Sequence, residues 1–193
     1  ARVAKEHHYT RPQINEEGVI DIQQGRHPVV EINPSQPHFI PNDIHLDKKH
    51  NFILLTGPNM AGKSTYMRQT ALLVYMTHIG CFIPCESADI FLIDQLFTRI
   101  GASDNLYEGK STFMVEMLES ADILHHASER SLIILDEIGR GTSTYDGLSI
   151  AAAIAKYIYE HLKSFTVFAT HYHEMTALSN EYQGMVNMNV AIH

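Results

Sequence analysis

Thr56-Gly57-Pro58-Asn59-Met60-Ala61-Gly62-Lys63-Ser64-Thr65 decides how this chain is read. Residues 57–64 fit G-x-x-x-x-G-K-[ST], the phosphate-binding P-loop. The apolar run Asn51-Phe52-Ile53-Leu54-Leu55 before it predicts a buried strand. Tyr66-Met67-Arg68-Gln69-Thr70-Ala71-Leu72-Leu73-Val74 after it predicts a helix. Strand, loop, helix is the context the motif requires. The glycines let the backbone turn its N–H groups inward, and the helix N-terminus adds its positive dipole end. Lys63 would then reach the β- and γ-phosphates of a nucleotide, and the Ser64 hydroxyl would ligate Mg²⁺.

The chain's 193 residues suffice for one sizeable domain, alone or with an appendage. Apolar residues make up 45% and charged residues 19%, as in ordinary globular proteins. No apolar run reaches the length of a membrane span and no signal peptide opens the chain, so neither membrane nor secretion is expected. Arg2-Val3-Ala4-Lys5-Glu6 reads as the tail of a helix, and residues 1–12 as the end of a preceding helical domain. The formal charge of −8, without a block of lysines or arginines, disfavours a surface that tracks nucleic-acid phosphates by itself. Any DNA contacts are expected in other parts of a longer protein. Cys81 and Cys85 lack the second pair a zinc site needs and read as free thiols in a reducing cytoplasm. His171-Tyr172-His173-Glu174 is the best histidine cluster but is not H-E-x-x-H, so no histidine metal site is expected.

Outward from the loop, the first third reads as β-rich. Val19-Ile20-Asp21-Ile22, His27-Pro28-Val29-Val30-Glu31-Ile32 and a stretch through Phe39-Ile40 and Ile44-His45-Leu46 predict short strands. Downstream, strands are predicted at 88–93, 95–100, 132–135, 166–169 and 185–190, the last as an edge strand. They alternate with helices, one over 112–127 and one that Asp146 caps, with Ile150, Ile154, Ile158 and Leu162 on one face. Residues 101–109 read as a polar loop. The pattern predicts an α/β fold with a mostly parallel central sheet, flanked by helices and preceded by a β-rich subdomain.

Three further stretches carry chemistry. Four apolar residues, 132–135, bury a strand that ends in Asp136-Glu137, at the sheet edge where open α/β folds place ligands. Asp136 is suited to hold Mg²⁺ through water, opposite Ser64, and Glu137 to orient or deprotonate an attacking water. His171, past the strand at 166–169, is placed to contact a γ-phosphate. Ser111 stands at an N-cap position in Lys110-Ser111-Thr112-Phe113-Met114-Val115-Glu116, a second phosphate-binding surface. One nucleotide needs only one such surface, which favours a symmetric pair in which each subunit closes the other's site.

Gly57-Pro58-Asn59-Met60-Ala61-Gly62-Lys63-Ser64-Thr65, Ser111-Thr112-Phe113-Met114-Val115-Glu116, Leu135-Asp136-Glu137-Ile138-Gly139-Arg140-Gly141-Thr142 and Ala169-Thr170-His171-Tyr172 together resemble the C-terminal ATPase domain of the MutS family. These are DNA mismatch-repair ATPases, relatives of the ABC transporter ATPases, and the bacterial members look most similar. The resemblance runs from about residue 25 to the end, so residues 13–193 are read as an ABC-type ATPase domain. It implies ATP and ADP as ligands, with Mg²⁺, and a homodimer with composite sites in which Ser111 approaches the partner's γ-phosphate. It implies Asp136 as the Walker B acid, Glu137 as the catalytic carboxylate and His171 as a switch histidine. Phe39 matches the position that stacks on adenine, and Asp146 would lie near the dimer interface. ATP would drive mismatch search, conversion to a sliding clamp and recruitment of a MutL-type partner.

The family's mismatch-reading, clamp and lever domains are absent from this stretch, as is its C-terminal dimerisation segment, so dimerisation and turnover by this stretch alone are in question. Two competing readings remain. One is a MutS paralogue acting on recombination intermediates or ribosomes, against which Met60 and Tyr66-Met67-Arg68-Gln69 favour the mismatch-repair branch. The other is a nucleotide-gated interaction module with vestigial hydrolysis, against which the intact Asp136-Glu137 pair counts. A kinase is disfavoured for want of an acceptor-binding segment or lid.

Overall fold

A computed structural model describes residues 2–33, 39–58, 61–100 and 112–191. In chain order its elements are α1 (Arg2–Glu6), β1 (Gln13–Asn15), β2 (Ile20–Gly25), β3 (Asn42–Leu46), β4 (Phe52–Thr56), α2 (Lys63–His78), β5 (Ser87–Phe91), β6 (Leu96–Arg99), α3 (Thr112–His126), β7 (Leu132–Asp136), α4 (Thr144–Tyr157), β8 (Phe165–Ala169), α5 (Leu178–Glu181) and β9 (Met185–Asn189). The chain divides into two compact units, Ala1–Lys48 with Thr65–Ile93, and Lys49–Ser64 with Asp94–His193.

The first unit is built on a four-stranded mixed sheet in the order β1-β5-β2-β3. In β2, Ile20 and Ile22 are fully buried while Asp21 and Gln23 are not, the period of two that a one-sided sheet imposes. Register aligns the apolar set: Ile20 faces Leu46 on one neighbour and Ile90 on the other, and Ile22 faces Ile44. The run at residues 27–32 is not the strand its apolar residues predict. It is a turn, in which the Glu31 N–H reaches the His27 carbonyl at 3.0 Å. His27 Nδ1 accepts the N–H groups of Val29 and Val30, at 3.3 Å each. Pro28 has no N–H to give to a ladder, and its fixed φ suits the start of such a turn.

The second unit contains a five-stranded, all-parallel sheet in the order β6-β7-β8-β4-β9. Every residue of β4 and β8 is buried, as expected of strands covered on both faces. On one face Phe52, Leu54, Ile133, Leu135 and Phe168 pack with Ile123 of α3 and with Ala151, Ile154 and Ala155 of α4. The rings of Phe52 and Phe168 stack at 6.1 Å. β9 lies at the edge of the sheet, as its alternation predicts. A parallel sheet flanked by helices and fed by a P-loop, with a β-rich unit drawn from residues before and after that loop rather than wholly before it as expected, is the P-loop NTPase fold of the ABC-ATPase type.

The helix expected to start at Asp146 starts earlier. Ser143 is its N-cap, and its hydroxyl accepts the Asp146 N–H at 3.3 Å while donating to the Asp146 carboxylate at 2.7 Å. Ser143 supplies the cap, and the Asp146 carboxylate orients its hydroxyl rather than capping the helix itself. The four-residue apolar period then outruns the α-helix. Ile158–Leu162 form a single π turn, closed by Lys163, whose N–H reaches the Ile158 carbonyl at 2.7 Å. Among the described residues, no helix is long and apolar enough to cross a membrane.

Phe168 is fully buried against Phe52, so Phe168→Ala should cost about 3–5 kcal/mol of stability. Leu118 is half exposed on α3, and Leu118→Ala should stay within about 0.5 kcal/mol. Urea unfolding of the two variants tests the assignment of the core.

Candidate functional site

Parallel strands all present their carboxyl ends at one edge, and here the register brings three of them side by side. Leu55 pairs with Ala169, and Ala169 with Asp136, so the ends of β4, β8 and β7 are consecutive. The loop after β4, the exit of β8 and the acid pair after β7 therefore meet.

Gly57 and Gly62 both take positive φ, 144° and 99°. At Gly57 a side chain would also bring its Cβ to 2.8 Å from the Val190 carbonyl, so β9 enforces glycine there as well. Pro58 and Ala61 close the loop through an Ala61 N–H to Pro58 carbonyl bond of 3.3 Å. Asn59, Met60 and Ser111, also expected at this site, lie outside the described residues, as does the polar loop expected at 101–109. Lys63 and Ser64 open α2, with Thr65 following in the same helix. Lys63 is buried and donates to the carbonyls of Gly57 at 2.7 Å and Pro58 at 3.1 Å. Phe39, in the first unit and ahead of β3, is partly buried.

Ser64 Oγ donates to Asp136 Oδ2 at 2.8 Å, joining the start of α2 to the end of β7. The other oxygen, Asp136 Oδ1, is buried and has no protein partner. A buried carboxylate oxygen without a donor is costly, and a hard cation is the kind of group that satisfies it. The Ser-Asp pair thus offers hard oxygen donors of the kind that a Mg²⁺ ion would take. Among the described residues no cluster of three His, Cys, Asp or Glu side chains offers a rival metal site.

Glu137 takes a left-handed conformation, φ 54°, and its N–H is held by the Ala169 carbonyl at 2.9 Å. That turn swings the Glu137 carboxylate off the strand direction. Its Oε1 lies 3.8 Å from Lys63 Nζ, and its Oε2 pairs with Arg140. Arg140 is a partner that the sequence reading did not single out, although its place three residues after Glu137 is a signal for such a pair.

His171 follows β8, exposed, with its ring 4.0 Å from that of Tyr172. Desolvation lowers its pKa below 6.5; Glu137 opposes the shift, and Arg140 and Lys63 reinforce it. Tyr172 is buried and donates to the Gly139 carbonyl at 3.0 Å. Burial, then the nearby Glu116 charge, pushes the Tyr172 phenol up, so it remains a donor. On the other side of that glycine, the Gly139 N–H is donated to Glu116 of α3. Glu116 and Tyr172 were not foreseen as parts of the site. For Glu116 the signal was present: it falls three residues after Phe113 and one before Met117, a charge on the apolar face of a helix.

The family model described as MutS domain V matches residues 53–193. Proteins named DNA mismatch repair protein MutS align with all 193 residues at 56% identity in Syntrophomonas wolfei, 55% in Clostridioides difficile and 56% in Carboxydothermus hydrogenoformans. The aligned region is 22%, 20% and 23% of their respective lengths. The chain therefore spans about a fifth of the length of these curated relatives.

The histidine shift has a definite sign. With a native pKa below 6.5, His171 stays neutral while the unfolded chain binds its proton first. Its contribution to stability is level above pH 6.5 and declines as pH falls from 6.5 to the native pKa. Nuclear magnetic resonance titration should find His171 below 6.5, lower again in Glu137→Gln and higher in Arg140→Ala. His171→Gln should flatten that part of the pH–stability curve.

Proposed function

This chain belongs to the MutS domain V family, and from that premise we propose that it is the ATP-binding and ATP-hydrolysing part of a MutS-type mismatch-repair protein. The observation that carries the reading is the Ser64–Asp136 contact of 2.8 Å with its unpartnered Asp136 Oδ1. It supports a Mg²⁺–nucleotide site between the loop after β4 and the end of β7.

The backbone of Gly57, Pro58 and residues 61–65 would bind the phosphates, in the P-loop motif to which Asn59 and Met60 also belong. Lys63 exchanges the Gly57 and Pro58 carbonyls for phosphate oxygens, which offset a buried ammonium charge better than neutral dipoles do. Ser64 and Asp136 hold the metal. When bound there, Mg²⁺ would supply neutralisation of the phosphate charge. Glu137 orients a water for in-line attack on the γ-phosphorus and takes its proton; the bond from γ-phosphorus to the bridging oxygen breaks, leaving ADP and inorganic phosphate. Glu137 reaches that role by exchanging its Arg140 contact for the water. His171, whose charged form is disfavoured by partial desolvation, donates a hydrogen bond to the γ-phosphate and reports its presence. Phe39 stacks on the adenine.

Ser111 closes the γ-phosphate of a second subunit, so hydrolysis belongs to a homodimer. Coupling to mismatched DNA and to a MutL-type partner runs through parts of a longer protein, and the cytoplasm is its compartment. The similarity to proteins named DNA mismatch repair protein MutS supports the mismatch-repair assignment over the paralogue reading.

Hydrolysis per subunit should rise with protein concentration. Glu137→Gln should bind ATP with wild-type affinity and hydrolyse it at least about 100-fold more slowly. Lys63→Ala should lose ATP binding itself. A folded Glu137→Gln variant with unchanged turnover would instead favour a nucleotide-gated module in which this carboxylate does no chemistry.

A further inference from the structure

The peptide group of Gly139 is gripped on both sides. Its N–H is donated to Glu116 Oε1 and its carbonyl accepts the Tyr172 phenol at 3.0 Å. Both partners are buried, Glu116 at 6% exposure and Tyr172 at 4%. Gly139 has a φ of 94°, and a side chain there would bring its Cβ to 2.5 Å from the Gly147 carbonyl, so α4 packs directly on this turn. Ile138, between Gly139 and Glu137, is fully buried. The turn that sets Glu137 in its left-handed conformation is therefore fixed at one end by the Ala169 carbonyl and at the other by Glu116 and Tyr172.

We propose that Glu116 is a positioning residue for ATP hydrolysis: through the Gly139 N–H it holds the turn that aims the Glu137 carboxylate. The inference rests on the ATPase reading above and goes beyond it, because Glu116 touches none of the reacting groups. An apolar side chain would fill the same place on α3 without the cost of desolvating a carboxylate. The carboxylate is instead held by Arg99, with Nη2 at 3.5 Å from its second oxygen, leaving Oε1 for the Gly139 N–H. Three elements converge on one peptide: α3 through Glu116, the segment after β8 through Tyr172, and α4 through Gly147. A shift of α3 along its axis reaches Glu137 through this peptide.

The test separates reach from charge. Glu116→Gln keeps an oxygen at the same distance to accept the Gly139 N–H, whereas Glu116→Asp keeps the charge but is one methylene too short. Single-turnover ATP hydrolysis, equilibrium ATP binding and thermal unfolding are measured for wild type, both variants and Tyr172→Phe. Glu116→Asp and Tyr172→Phe should each slow hydrolysis about 10- to 100-fold while ATP affinity stays within about twofold. Glu116→Gln should hydrolyse within about threefold of wild type. The Glu116→Asp/Tyr172→Phe pair should lose less than the product of the single losses, since both act on one peptide. Hydrolysis in Glu116→Asp at the wild-type rate overturns the inference. So does a loss in Glu116→Gln as large as in Glu116→Asp, or a loss of affinity and melting temperature that tracks the loss of rate. A folded wild type that neither binds nor hydrolyses ATP overturns the ATPase reading, and this inference with it.

Discussion

β8 is hydrogen-bonded in parallel to β4 on one side and to β7 on the other, and the site follows from that placement. Parallel pairing forces the carboxyl ends of all three strands to a single edge. The strands are buried almost throughout, so the polar groups needed for chemistry can emerge only at their ends. Ser64, Asp136, Glu137 and His171 come from three separate stretches of chain, and no turn or helix alone would gather them. The sheet does so through backbone hydrogen bonds that leave the side chains free to differ.

Charge then sorts the groups within the site. Lys63 is a buried cation faced by two carbonyls and, at 3.8 Å, by one carboxylate. Neutral dipoles and one partly exposed acid solvate an ammonium less well than phosphate oxygens would, which favours the proposed phosphate site. Glu137 stands between Lys63 and Arg140. Both cations therefore bear on where its carboxylate points.

Much of this was legible in the residues. The stretch 56–65 with its flanks gave strand, loop and helix in the right places, and the uninterrupted apolar runs at 52–55 and 132–135 gave buried parallel strands. What escaped did so for physical reasons. Residues 27–32 carry the β-branched content of a strand, but Pro28 and the His27 imidazole offer the backbone a local alternative that wins. The position of β8 between β4 and β7 is a long-range pairing, and local periodicity says nothing about strand order. The grip of Glu116 on Gly139 spans 23 residues of sequence. Glutamate on an apolar helix face hinted that it was buried, but nothing local named the peptide it would meet. Arg140 illustrates the opposite case: its spacing from Glu137 made the pair readable, yet the left-handed turn that realises it is a tertiary consequence of the Ala169 carbonyl.

Ser64 and Asp136 are proposed to hold a divalent cation together with a bound nucleotide. Electron paramagnetic resonance of Mn²⁺, titrated into the protein with and without ATP, measures this directly. The account predicts Mn²⁺ binding that requires ATP, shows coupling to the nucleotide phosphorus, and weakens at least about 10-fold in Asp136→Asn. Mn²⁺ binding that is indifferent to ATP, or a nucleotide-dependent signal unchanged in Asp136→Asn, would contradict it.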